Sequence, residues 1–178
     1  MSDGPARPGR DDPDANPEPR VVELPSQPYA AIRGEVSMQT IPAIADRISD
    51  VIGYLADHGV ESAGPPFLRY LEIGPGDELV VEAGVPVDHP GMGEDPVYYA
   101  VLPGGRFATV RHHGHPDGLM DATGDLLDWG DEQGVRWDVR YTDDREVWGC
   151  RYESYLSDPR EHPDMDTWDT DLVFRLAD

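Results

Sequence analysis

Leu24-Pro-Ser-Gln-Pro-Tyr-Ala-Ala-Ile-Arg33 and Leu102-Pro-Gly-Gly-Arg-Phe-Ala-Thr-Val-Arg111 align without a gap. Leu, Pro, Ala and Arg coincide, Tyr29 meets Phe107, and Ile32 meets Val110. A match this short can arise by chance, so its surroundings decide. After the first copy, Thr40 offers an N-cap, and Ile41, Ile44, Ala45, Ile48, Val51, Ile52 and Leu55 follow at helical spacing until Gly59. That predicts an amphipathic helix of about five turns. After the second copy, Pro116 suits a first helical turn, and Leu119, Met120, Thr123, Leu126 and Leu127 form an apolar stripe ending near Gly134.

The flanking runs repeat as well. Val21 to Ser37 reads as a strand interrupted near Pro25 to Pro28, which suggests a bulge or an edge position. Phe67 to Ile73 and Glu78 to Val87 read as two strands joined by the turn Gly74-Pro-Gly-Asp77. Tyr98 to Arg111 is strand-like again, as are Trp137 to Tyr141, the run from Gly149, and Trp168 to Leu176. The element order is strand, helix, strand, strand, twice over. It predicts an α+β domain of two duplicated halves, about 21–88 and 97–178, each with one main helix on one face of a mostly antiparallel sheet and a ligand cleft between them. Residues 1–20 are Pro, Asp, Gly and Arg with almost nothing apolar, so they are expected to be a disordered tail.

Composition narrows the function classes. The formal net charge is −22, and all 14 basic residues are arginine. A surface this acidic repels phosphate backbones, so direct DNA binding is not expected, whereas cations are attracted. No apolar run is long enough to span a membrane and no signal peptide opens the chain, so a cytoplasmic protein is expected. The single cysteine, Cys150, excludes an internal disulfide.

Glu153 is the least ordinary residue. It lies among Tyr152, Tyr155 and Leu156 in a run that otherwise reads as a half-buried strand, on the same face as Arg151 and Tyr155. The stronger apolar sets should lie under the helices: Phe67, Leu71 and Ile73 in one strand, and Leu79, Val81, Ala83 and Val85 in the next. The opposite face then carries Tyr70, Glu82 and Glu153 toward one cleft, with Trp148 and Tyr155 as walls. A carboxylate there serves as counter-ion to a cation held on aromatic faces, or as a general base toward water. The alternative is a structural ion pair with Arg151 or Arg69. His112-His-Gly-His115 invites a metal, but adjacent strand residues point oppositely and no Cys is near, so a polar strand end is the expected role and no metal is assigned. No cofactor motif occurs: Gly74-Pro-Gly76 leads into no helix. The acidic run from Asp158 to Asp171 is expected to be a solvated loop.

Several phrases together resemble the GyrI-like, or AraC-type effector-binding, family: Gly64-Pro-Pro-Phe-Leu-Arg-Tyr70, Val81-Glu-Ala-Gly-Val-Pro-Val87, Leu102-Pro-Gly-Gly105 with His113-Gly114 following, and Tyr152-Glu-Ser-Tyr-Leu-Ser-Asp-Pro159 ending in Trp168-Asp-Thr-Asp171. The resemblance covers about Val21 to Leu176. It implies the duplicated fold with its cleft, and it places the family's ligand-facing acid on Glu153, its aromatic on Tyr70 and a second acid on Glu82. It also implies three functions. The first is a stand-alone multidrug-type binding module for bulky aromatic, often cationic, compounds. The second is a hydrolase opening strained cyclopropane rings, in which Glu153 would act as base toward water and Tyr70 would donate a hydrogen bond to the departing or enolising oxygen. The third is a gyrase-interacting inhibitor. Many members carry a helix-turn-helix reader; Met1 to Arg20 is too short and polar to supply one.

Overall fold

The computed structural model describes residues 18–178. The expected tail therefore lies almost wholly outside the described residues, and Arg20 already opens the first strand. The strands are β1 (Arg20–Leu24), β2 (Gln27–Ser37), β3 (Phe67–Ile73), β4 (Glu78–Pro86), β5 (Tyr98–Leu102), β6 (Gly105–His113), β7 (Val139–Thr142), β8 (Arg145–Trp148), β9 (Arg151–Tyr155) and β10 (Asp169–Arg175). The helices are α1 (Ile41–Ala45), α2 (Arg47–Asp57) and α3 (Leu119–Gln133).

All the strand pairings are antiparallel, in the order β1-β6-β10-β9-β3-β4-β2-β5, with the β7–β8 hairpin attached to β3 through β8. That order is unchanged when the halves are exchanged: β3 maps onto β9, β4 onto β10, β2 onto β6 and β5 onto β1. The duplication is thus built into the sheet. Its pseudo-two-fold axis runs between β3 and β9, where Leu68 faces Glu153.

The proline breaks explain how the halves lock together. Each Leu-Pro step ends a strand instead of bulging one, because proline brings no N–H to the ladder. The strand before each step joins the other half, so β1 pairs with β6 and β5 with β2. After the turn the chain returns to its own half, β2 beside β4 and β6 beside β10. What reads as one strand in each repeat is two. The two turns touch: a Cβ on Gly104 would lie 2.9 Å from the Ser26 backbone nitrogen.

One sheet face packs against itself. Tyr29, Phe67, Leu102, Phe107, Cys150 and Val173 form one buried cluster, joined by Val22 and Leu24 from β1 and Tyr98 from β5. Residues from both ends of the strand order meet there, so the sheet curls with this face inward. The outer face carries the helices. Val51 and Leu55 of α2 cover Ala30, Ile32 and Val85. Ile44 of α1 covers Leu68, Val81 and Ala83. Leu119 and Leu126 of α3 cover Ala108, Leu172 and Phe174. Burial of each such side chain stabilises by roughly 1.5–3 kcal/mol.

Two local expectations are corrected. The first helix is broken at Asp46 into α1 and α2. Thr40 occupies the N-cap position, but its Oγ1 accepts the Ser37 N–H at 2.7 Å instead of a helical one. The second helix ends as read, at Gly134 with φ of +74°.

Candidate functional site

The middle of the outer face, between the α1 and α3 clusters, belongs to β3 and β9. A bulge decides which side chains reach it. The β3–β4 register shifts between Tyr70 and Glu72, so Phe67 and Arg69 point to the inner face while Ile73, beyond the bulge, packs on the outer one. Strict alternation puts Phe67 and Ile73 on one face, and this is where that expectation fails. Before the bulge, Leu68 and Tyr70 share the outer face with their cross-strand neighbours Ala83, Val81 and Glu153.

Glu153 is half-buried. Its Oε1 accepts the Tyr155 hydroxyl at 2.8 Å and the Tyr70 hydroxyl at 3.3 Å. These two tyrosines are pseudo-two-fold mates: Phe67-Leu-Arg-Tyr-Leu71 aligns in register with Tyr152-Glu-Ser-Tyr-Leu156 about the Leu68–Glu153 pair, and both hydroxyls reach the carboxylate. The mate of Glu153 is Leu68, so the acid occurs on one side only. No described residue donates to Oε2. Burial raises the Glu153 carboxyl above the usual carboxylate range, and the two tyrosine bonds, Arg151 and His112 pull it partly back. Burial, with Glu153 adjacent, holds both tyrosines well above their ordinary value, so they stay protonated and act as donors.

Arg151, two residues away on the same face, does not form an ion pair with Glu153. Its guanidinium lies over the rings of Phe174 (4.5 Å), Trp148 (4.8 Å) and Tyr70 (5.8 Å). Trp148 is therefore not an open wall: it is buried under α3, donates to Glu146 at 3.0 Å, and presents its face to Arg151. The sequence marks Tyr155 only as a wall and Arg151 only as an alternative ion-pair partner of Glu153, and it gives His112 no place at the site. The repeated aromatic-x-x-Tyr-Leu phrase was the signal that pairs Tyr70 with Tyr155.

Glu82 lies on the other face. It pairs across strands with Arg69, and its Oε1 accepts the Tyr29 hydroxyl at 2.6 Å. Its Oε2 accepts from Tyr98. Arg69 lies 4.0 Å from the same carboxylate and donates to Tyr29 at 2.8 Å and to the Gly149 carbonyl at 2.9 Å. This network is sealed inside the curl, with Glu82 only 3% exposed. The expected meeting of Glu82 with Tyr70 and Glu153 does not occur, because one strand position separates opposite faces. Arg69, the other expected partner of Glu153, serves Glu82. Cys150 is buried on this inner face, its thiol pushed up to about 12 by burial.

The histidines take backbone and carboxylate partners. His112 shares a hydrogen bond with the His115 carbonyl at 3.1 Å, and His113 contacts Asp169 at 2.7 Å. Among the described residues no helix is long and apolar enough to cross a membrane.

Solved structures share this architecture. EcmrR in its DNA complex superposes with a TM-score of 0.64 at 21% identity, over 89% of this chain and 57% of that one. The chain thus spans little more than half of that relative. The EcmrR C-terminal domain alone gives 0.64 and 21%, over 90% of this chain and 97% of the other. SAV2435 bound to tetraphenylphosphonium gives 0.62 at 11% identity, over 90% and 94%. Among curated proteins, none matches the chain. The profile of the GyrI-like small molecule binding domain matches residues 17–177, which takes in both halves of the curled sheet, and the chain belongs to that family.

Proposed function

We propose that this domain binds bulky aromatic compounds that present a positive charge to Glu153. The observation that carries the reading is the convergence of two pseudo-symmetric tyrosines on one oxygen of a half-buried carboxylate, with no donor to the other oxygen among the described residues. The tyrosine bonds hold the carboxylate in place and keep it ionisable, and a ligand cation supplies the missing counter-charge. The overall charge of −22 favours such ligands at a distance. The relative SAV2435 was captured with tetraphenylphosphonium, a bulky aromatic cation, which supports the same ligand class here.

The test is titration of rhodamine B into wild type and Glu153→Gln. Gln keeps an oxygen for the tyrosine hydroxyls but loses the charge. Affinity is expected to fall about tenfold or more, the equivalent of about 1.4 kcal/mol. Equal affinity removes Glu153 from the site.

A second reading has one specific observation behind it. A carboxyl raised by burial and hydrogen-bonded to a tyrosine is equipped as a general base beside a hydrogen-bond donor. In this reading Glu153 takes a proton from the water that attacks the strained cyclopropane, and Tyr70 donates a hydrogen bond to the oxygen that takes up the electrons. The proton held by Glu153 is then returned to the ring-opened product. Ring opening of a cyclopropane-bearing cyclohexadienone, followed with wild type and Glu153→Gln, decides it; no turnover above buffer sinks it.

A further inference from the structure

We propose that Arg151 is a charge-selecting residue: the site takes aromatic zwitterions, whose cation meets Glu153 and whose carboxylate meets the Arg151 guanidinium, in preference to plain aromatic cations. The proposal rests on the assignment of Glu153 as the ligand-facing acid and names the substrate class of that site.

Three observations carry it. Arg151 shares the outer face with Glu153 and stands next to Tyr70, so a ligand seated against the Glu153 carboxylate approaches both charges. Its Nε is buried and has no hydrogen-bond acceptor among the described residues, and no carboxylate lies within ion-pair distance of the guanidinium there. Its partners are instead aromatic faces: Phe174, Trp148 and Tyr70. Rings satisfy the positive charge in part but take none of the in-plane N–H groups, and a planar guanidinium is built to offer those N–H groups to a carboxylate. The arginines of comparable burial donate to the protein: Arg69, whose Nε is likewise buried without an acceptor among the described residues, donates through its two terminal nitrogens to Tyr29 and Gly149, and Arg175 donates to Asp138 and Gly104. Arg151 is thus a held cation with unused donors beside a held anion. A monocation at Glu153 meets its repulsion, which is selection against the wrong ligand as well as for the right one.

Rhodamine B and its ethyl ester share one xanthylium ring system; the first is a zwitterion and the second a cation. Both are titrated at physiological salt into wild type, Arg151→Met and Glu153→Gln, with circular dichroism and thermal unfolding of each protein. Wild type is expected to bind the acid about tenfold more tightly than the ester, against the bias of the protein's negative surface. Arg151→Met, whose flexible thioether suits the same ring-lined space, is expected to lose or invert that preference. The wild-type ratio needs no variant to fold. A wild type that binds both dyes equally or prefers the ester overturns the proposal, as does an unchanged ratio in folded Arg151→Met. Glu153→Gln with unaltered affinity for both dyes overturns the Glu153 assignment instead, and a wild type that binds neither overturns both.

Discussion

Replacing Tyr155 by Phe removes one hydroxyl and leaves the packing of the ring against the α1 cluster intact. The hydroxyl lies 2.8 Å from Glu153 Oε1, a full-strength hydrogen bond to an ionised acceptor. Bonds of that kind contribute about 1.5–3 kcal/mol. The Tyr70 hydroxyl lies at 3.3 Å, and its bond belongs at the neutral end, about 0.5–1.5 kcal/mol. At pH 8, Tyr155→Phe is therefore expected to cost about 2 kcal/mol in urea unfolding, a melting shift of about 4–8 °C for a domain of this size. Tyr70→Phe is expected to cost less than half of that. The charge dependence gives the sharper check. Both bonds oppose the burial that raises the Glu153 carboxyl, so their contribution is present where Glu153 is ionised and fades as acid protonates it. The cost of Tyr155→Phe should shrink toward that of an ordinary hydroxyl loss near pH 4. A cost independent of pH, or a larger cost for Tyr70→Phe, would refute the claim that the two tyrosines serve an ionised carboxylate.

Other outcomes follow from the same geometry. Glu153 has a folded-state pKa above its unfolded value, so its contribution is complete below the usual carboxylate range, about 4.3, and is lost as pH rises through the folded value. Glu153→Gln lacks this loss; urea titrations should find its stability relative to wild type increasing with pH, and a flat difference contradicts this. Glu82→Ala strands Arg69 and two tyrosine hydroxyls inside the curl and should cost about 3–5 kcal/mol; a loss below about 1 kcal/mol would mean the network is dispensable. Gly84→Ala sets a Cβ 2.5 Å from the Phe67 ring, which should cost about 1–3 kcal/mol by thermal unfolding while the outer-face site keeps its ligand affinity. An unchanged melting point would show that the inner core yields more easily than its packing implies.

The duplication was legible because the Leu-Pro step and its flanks are repeated, and the helices were legible from their apolar spacing. The splitting of each long strand was not, because the hydrophobic pattern runs on across the proline while the chain changes partners. Glu153 and Tyr70 were found together from sequence, and Tyr155 as a neighbour. The pairing of Tyr70 with Tyr155 stayed hidden because the β7–β8 hairpin changes the spacing between the repeats before that point. Tyr70 and Glu153 were misplaced for a different reason: a bulge in β3 cannot be read from alternation, which puts Phe67 and Ile73 on one face. Alternation thus reads the helix-covered face of β3 before the bulge the wrong way round, and sets Tyr70 and Glu153 beside Glu82. The helix break at Asp46 likewise interrupts no apolar position.

The central claim is that ligand binds on the outer face, against Glu153 and between the α1 and α3 clusters. A crystal structure of the chain with rhodamine B bound tests it most directly. The account predicts the xanthylium cation in contact with the Glu153 carboxylate and Tyr70. A dye seated on the inner face beside Glu82, or ordered elsewhere with Glu153 untouched, would contradict it.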